Sequence, residues 1–201
     1  MRFDAPPAMR VIKKEHKETQ LKAFVGDQVA AQLEAAGENA CARVFLLVVR
    51  SNESPVIRAL ASLAPELAGA NISLKVVVTP AGGDTTGTWP DELSGLLDCR
   101  VILDPRLLDA HEQLWLDPTT AWIGDCMRRE PAKRDAYECY AADSRETARF
   151  VRTAFMRIWE MAKPIDNPPR SNGEVSAGEQ IDPHLAASAA TDTPPLASTR
   201  H

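Results

Sequence analysis

Apolar positions change their spacing several times along this chain, and each change marks an element. Between residues 13 and 36 a charged start, "KKEHKETQLK", gives way to Leu21, Val25, Val29 and Leu33, four apart on one stripe of a helix. The Gly26-Asp27 pair interrupts that stripe and predicts two helices, with Asp27 capping the second and Gly37 ending it. "ARVFLLVVR" at 42–50 is a continuous β-branched and apolar run, the pattern of a strand buried on both faces. In "SNESP", Ser54 is an expected N-cap and Pro55 the first helical position. Val56, Leu60, Leu63 and Leu67 then line one helix face up to Gly69. "ISLKVVVT" at 72–79 is a second buried strand, which makes a βαβ unit whose right-handed crossover sets the two strands parallel.

Further on, "PAGGDTTGTWP" at 80–90 predicts a loop, residues 91–97 a short helix, and "CRVILD" at 99–104 a third strand. "HEQLWLD" and "AWIGD" flank Asp117-Pro118-Thr119-Thr120 and predict a hairpin, with Trp115 and Trp122 as a cross-strand aromatic pair. "CMRREPAKRDAYECY" is polar and basic until Tyr137, where a strand of about four residues is expected. Asp143 followed by Glu146 reads as a capping box. Ala148, Val151, Phe155, Ile158 and Ala162 then recur three and four apart, a helix that packs on the sheet and ends before Lys163-Pro164.

The predicted organisation is a flexible arm at 1–11, an α/β domain at 12–163 and a tail at 164–201. That tail is rich in Pro, Ser, Ala and Thr, and too poor in large apolar groups to offset ordering entropy, so disorder is expected. The expected fold class is α/β, a mixed and mostly parallel sheet flanked by helices. There is no internal repeat.

Composition narrows the function. With 201 residues and 44% hydrophobic content there is enough apolar surface for one core. A formal net charge of −5 argues against holding nucleic acid or an anionic membrane through overall charge, so nucleic acid is not the expected partner. No basic-then-apolar leader and no run of about twenty apolar residues is present, so membrane insertion is not expected and a cytoplasmic location is. The four cysteines, 41, 99, 126 and 139, form no CxxC pair and are expected to be buried free thiols; no metal and no cofactor is implied. "GGDTTGTW" lacks the Gly-Lys-Ser/Thr ending of a phosphate-binding loop, although Trp89 within it is a candidate binding aromatic. Ser51 and Ser54 follow the end of the first buried strand, where α/β sheets present ligand groups.

The densest chemistry lies between residues 111 and 138. His111-Glu112-Gln113 opens the hairpin, Leu114-Trp115-Leu116 and Asp117 follow, and the second strand runs into Gly124-Asp125-Cys126-Met127. Glu138 comes after it, and "FMRIWEMAKP" closes the domain. This order resembles one half of the phospholipase D-like superfamily. Its motif is His-x-Lys, a hydrophobic strand, an acidic residue, a second strand, Gly-Ser-x-Asn and a later glutamate. The resemblance covers about 42–164 and implies that His111 takes the place of the nucleophile, with Glu138 as the glutamate. It also implies departures: Gln113 stands for the lysine, Met127 for the asparagine and Asp125 for the serine, and the spacing from strand to acid is one residue short. The lost lysine and asparagine would have held the phosphoryl oxygens, and one lost preorganised donor costs ~3–4 kcal/mol of transition-state stabilisation.

Two functional expectations follow. The first is a noncatalytic domain of this fold, a pseudoenzyme that binds an anionic, phosphate-bearing ligand or a protein partner in a regulatory or adaptor role. The second is a weak phosphodiesterase or nuclease, built as a homodimer because the family needs two motifs, with His111 and Glu138 as catalytic residues. Arg128, Arg129, Lys133 and Arg134, together with Asp125 just before them, form the candidate ligand-binding set. Such a loop suits a phosphate, a nucleic-acid backbone or an acidic protein; it also suits a solvated surface with Glu130 and Asp135 partly neutralising it. Asp125 is equally placed to pair with Arg128 or Arg129.

Overall fold

A computed structural model describes residues 9–35, 43–79, 88–104, 111–125 and 135–165. The buried run of the first predicted strand becomes β2 (Arg43–Val49), which pairs in parallel with β3 (Ile72–Val78). β3 pairs in parallel with β4 (Leu97–Val101). On the other side of β2, the hairpin strands β5 (Gln113–Trp115) and β6 (Ala121–Ile123) follow, then β7 (Asp135–Ala141) and β1 (Met9–Lys13). β8 (Lys163–Pro164) closes the opposite edge against β4. The eight strands stand in the order β1-β7-β6-β5-β2-β3-β4-β8.

The sheet is mixed, as expected, but parallel pairing is confined to β2-β3-β4. Every other pairing is antiparallel. Three of the five antiparallel pairings come from the β5–β6 hairpin and the strands on either side of it, and the other two from the ends of the domain. Residues 9–11, assigned from sequence to the flexible arm, lie in β1 on β7, and Pro164 of the predicted tail lies on β4. The Ile165 amide also donates to the Cys99 carbonyl at 3.1 Å. Neither segment has a strong strand pattern of its own; each is recruited by an edge that offers unpaired backbone groups. Residues 1–8 and 166–201, the rest of the predicted arm and tail, lie outside the described residues.

Helices cover both faces. On one lie α1 (Lys14–Ala35), α2 (Pro55–Ala61) and α3 (Ala64–Gly69), packed on Phe45, Leu47, Val49, Leu74, Val76 and Leu114. On the other lies α4 (Arg145–Met161), whose Phe155, Ile158 and Trp159 meet Leu46, Val48 and Val77. No helix among the described residues is long and apolar enough to cross a membrane.

The helix boundaries correct the sequence reading in three places. α1 runs unbroken through Gly26-Asp27, because Leu21, Val25 and Val29 anchor it on both sides of the pair and packing overrides propensity; Leu33 leaves the core. The helix expected over 55–69 divides at Ser62-Leu63, and Pro65, which lacks an amide to continue the hydrogen-bond ladder, sits in the first turn of α3. The cap of α4 is Ser144 rather than Asp143: its Oγ accepts from the Thr147 amide at 3.4 Å, while Asp143 takes φ 54° and turns the chain into the helix. The predicted short helix at 91–97 is a single 3-10 turn at Asp91–Leu93.

Candidate functional site

Lys17 lies in the first turns of α1, four residues before Leu21 and so on the same buried stripe. Its ammonium is therefore carried inward, to the end of the sheet where β2 finishes. Two carboxylates meet it there. Nζ lies 3.1 Å from Glu138 Oε1 and 3.6 Å from Glu112 Oε2. Glu138 belongs to β7 and is fully buried; Glu112 immediately precedes β5.

Strand alternation decides which side chains gather. Leu114 and Trp122 are direct partners and face α1, and Trp122 in turn opposes Tyr140. Glu138, two residues from Tyr140, shares that face, and the Trp122 indole donates to its Oε2 at 2.7 Å. Trp115 is paired with Ala121 and packs toward α4. The expected Trp115–Trp122 pair is thus replaced by two tryptophans on opposite faces, because the hairpin register offsets them by one residue.

The rest of the cluster is tightly tied. The Ser54 hydroxyl donates to Glu112 Oε1, and the Arg50 amide approaches the same oxygen at 3.4 Å. Ser54 holds the N-cap position of α2 with Pro55 behind it, yet its side chain makes no cap bond, having turned to Glu112 instead. The Gly124 amide donates to the Glu112 carbonyl at 2.8 Å. A Cβ on Gly124 would lie 2.5 and 2.7 Å from Trp122 ring carbons, so only glycine fits beneath the indole. The Lys17 ammonium also lies 5.2 Å from the Trp122 ring centroid.

Electrostatically the cluster is inward-looking. Burial pushes the Glu138 carboxyl above the usual carboxylate range, more strongly than Lys17 draws it down, and the charge of Asp125 adds to the rise. Burial also lowers Lys17, but Glu138, Glu112 and Asp125 together hold it above its ordinary range. Tyr140 is raised too, by burial first and Glu138 second. The ammonium offsets part of the carboxylate charge, and the groups' lone pairs and protons are directed at each other. Such an arrangement fastens α1, α2, β5, β6 and β7 together. It opposes an incoming phosphate, since the carboxylates outnumber the ammonium.

Of the residues singled out from sequence, Glu138 stands at the centre of this cluster. Asp125, half-buried and at φ 51°, is close enough to act on both Lys17 and Glu138. His111 is half-buried just ahead of β5, while the contacts to Lys17 run through its neighbour Glu112. Gln113 is buried with the parity of Trp115, toward α4. Arg128, Arg129, Lys133 and Arg134, with Cys126 and Met127, lie outside the described residues, and so does any pairing of Asp125 with that loop. Trp89 is a buried member of the core. Cys99 is a buried free thiol, its pKa pushed up to about 12 by burial and Asp98, and Cys139 is buried as well. Among the described residues no three His, Cys, Asp or Glu side chains gather as a metal site. Lys17 and Glu112 were missed, whereas Ser54, noted at the strand end as a place for ligand groups, holds Glu112. The available signal for the first was a lysine continuing the apolar stripe of Leu21, Val25 and Val29.

No protein-family model and no curated protein matches the chain. Among solved structures it is similar to a phospholipase D family member, Nuc, from Salmonella typhimurium. The TM-score is 0.52 at 9% sequence identity, over 83% of this chain and 100% of that one. It is also similar to TrmBL2, an archaeal chromatin protein, with TM-score 0.48 and 11% identity over 79% of this chain and 55% of that one. NucT from Helicobacter pylori follows, with TM-score 0.45 and 8% identity over 80% of this chain and 100% of that one.

Proposed function

We propose that this chain, whose fold is phospholipase D-like, is a noncatalytic domain that binds an anionic ligand or a protein partner in a regulatory or adaptor role. The observation that supports this reading is the buried Lys17–Glu112–Glu138 cluster. Counted back from Asp117 at the family's spacing, the missing residue moves the lysine's place from Gln113 to Glu112 and the histidine's to Ala110. A carboxylate then stands where the resemblance requires a cation, and its partner is an internal lysine rather than a phosphate. Loss of one oriented donor costs a hundred- to a thousand-fold in rate, and a reversed charge at the same place costs more, on the order of further tenfolds.

The basic segment 128–134 is the proposed binding element, with Asp125 just before it in the sequence. A cytoplasmic setting belongs to the proposal. So does pairing with a second copy, which one motif per chain implies and sedimentation equilibrium tests. The deciding experiment is a phosphodiesterase assay on bis(p-nitrophenyl) phosphate and on DNA, comparing wild type with His111→Ala. Both are expected to be inactive. Turnover that disappears with His111 would overturn the reading in favour of a homodimeric phosphodiesterase.

A further inference from the structure

The opposite end of the sheet holds a feature that the cluster does not explain. There the β5–β6 turn, the start of β2, the last turns of α1 and the side of α4 surround a cavity of about 660 Å³. That is the size of a small-molecule site, roughly 300–1,000 Å³. Lys17 and Gln32 are fifteen residues apart on one helix, so the cavity lies ~22 Å from the cluster at a rise of about 1.5 Å per residue.

Its wall combines apolar surface with uneven charge. Val44, Leu46, Trp115 and Met156 supply the apolar part, and Arg43, Lys75 and Arg152 supply three cations. The wall's carboxylate, Asp117, is already engaged. Gln28 Nε2 donates to its Oδ2, and the Thr119 amide and hydroxyl donate to Oδ1 at 2.6 and 2.9 Å. The cations are held in place. Arg43 donates to the Gln32 carbonyl at 2.7 Å, the Arg152 guanidinium lies 5.9 Å from the Trp115 ring centroid, and Lys75 Nζ lies 5.2 Å from that of Trp159.

Two polar atoms complete the pattern. Trp115 Nε1, a donor, and Gln32 Oε1, an acceptor, are buried with no hydrogen-bond partner among the described residues. Buried polar atoms are nearly always paired, and an indole N–H has no other way to be satisfied. Both belong to residues that line this cavity.

We infer that the cavity is a binding site for a small amphipathic organic anion. Its apolar body rests on Trp115, Leu46 and Met156, its anionic head meets Arg43, Lys75 and Arg152, and a polar atom beside the head accepts from the Trp115 indole. Carboxylate, sulfonate and phosphate heads share this chemistry. The inference goes beyond the proposed function and does not depend on His111 or on the basic loop.

The test uses the full chain and 8-anilinonaphthalene-1-sulfonate, an aryl body with one anionic head, followed by fluorescence. Saturable binding with blue-shifted emission is expected. Lys75→Glu with Arg152→Glu weakens it by about tenfold or more. Arg149→Glu with Arg157→Glu, the same charge change on exposed positions of α4 outside the cavity, leaves it unchanged. Trp115→Phe keeps an aromatic ring, removes the N–H and weakens binding several-fold; it decides the matter alone if circular dichroism shows the first pair unfolded. Absence of saturable binding, equal loss in the two charge-reversed pairs, or equal affinity for neutral N-phenyl-1-naphthylamine overturns the assignment.

Discussion

Lys17→Met keeps most of the lysine stem and deletes its charge. In the wild type the ammonium lies 3.1 and 3.6 Å from two carboxylates, and the side chains of Lys17, Glu112 and Glu138 are 7%, 8% and 0% exposed. At that depth water does not replace the lost partner, and the variant holds two carboxyl groups without a counter-ion. Removing one member of a buried ion pair costs about 3–5 kcal/mol. Set against a typical total of ~5–15 kcal/mol, that is a large share of the stability.

The loss carries a pH signature with a defined sign. Burial already raises the Glu138 carboxyl and Lys17 opposes the rise. Without Lys17 the folded-state value climbs further, so the native variant keeps a proton that the unfolded chain releases. Stability then falls as pH rises above the unfolded carboxyl's ordinary 4.5. In the wild type, Lys17 itself is held above 10.5, so its contribution is present through neutral pH and fades only in stronger base. Urea titrations followed by tryptophan fluorescence at about pH 5 and about pH 8 should therefore show a larger deficit for Lys17→Met at the higher pH. Lys17→Met combined with Glu112→Gln and Glu138→Gln should recover most of the loss, because no uncompensated charge remains. A deficit below ~1 kcal/mol that does not change with pH is the behaviour of an exposed pair and would refute the reasoning.

Two further changes probe the surroundings of the cluster and of α4. Gly124→Ala drives a methyl to within 2.5 Å of the Trp122 ring and 3.2 Å of Glu138 Oε2, and should cost about 1–3 kcal/mol by overpacking; an unchanged thermal midpoint would show that the indole moves freely. Ser144→Ala removes the acceptor of the Thr147 amide and should cost about 1 kcal/mol in thermal unfolding, with no loss counting against the cap assignment.

Periodicity carried the parts of the fold that are decided locally. The βαβ unit, the hairpin around Asp117 and the stripe of α4 are each visible within one contiguous stretch of the chain, and each is present. β1 was not legible, because "MRVIK" becomes a strand only when β7 lies beside it. The facing of Trp115 and Trp122 was misread for a related reason: composition locates a hairpin, while the turn sets the register that decides which residues oppose each other. The cluster was half visible. Glu138 was chosen through the family motif, whereas Glu112, in the same quoted stretch, was passed over for His111. Bringing Lys17, Glu112 and Glu138 together takes three separate strand pairings, β5–β6, β6–β7 and β1–β7, and the docking of α1.

The alternation of β5 limits what a substitution can do at the cluster. Gln113 faces α4, on the other side of the sheet from Glu138. A lysine written at 113, the substitution that the linear motif invites, would place its ammonium in the wrong layer. Setting a cation from β5 beside Glu138 means replacing Glu112, which strips Lys17 of one partner, or inserting a residue, which flips every side chain that follows in the strand. Either change disturbs buried contacts already made, so a second cation beside Glu138 comes only with the loss of pairings that the cluster now holds.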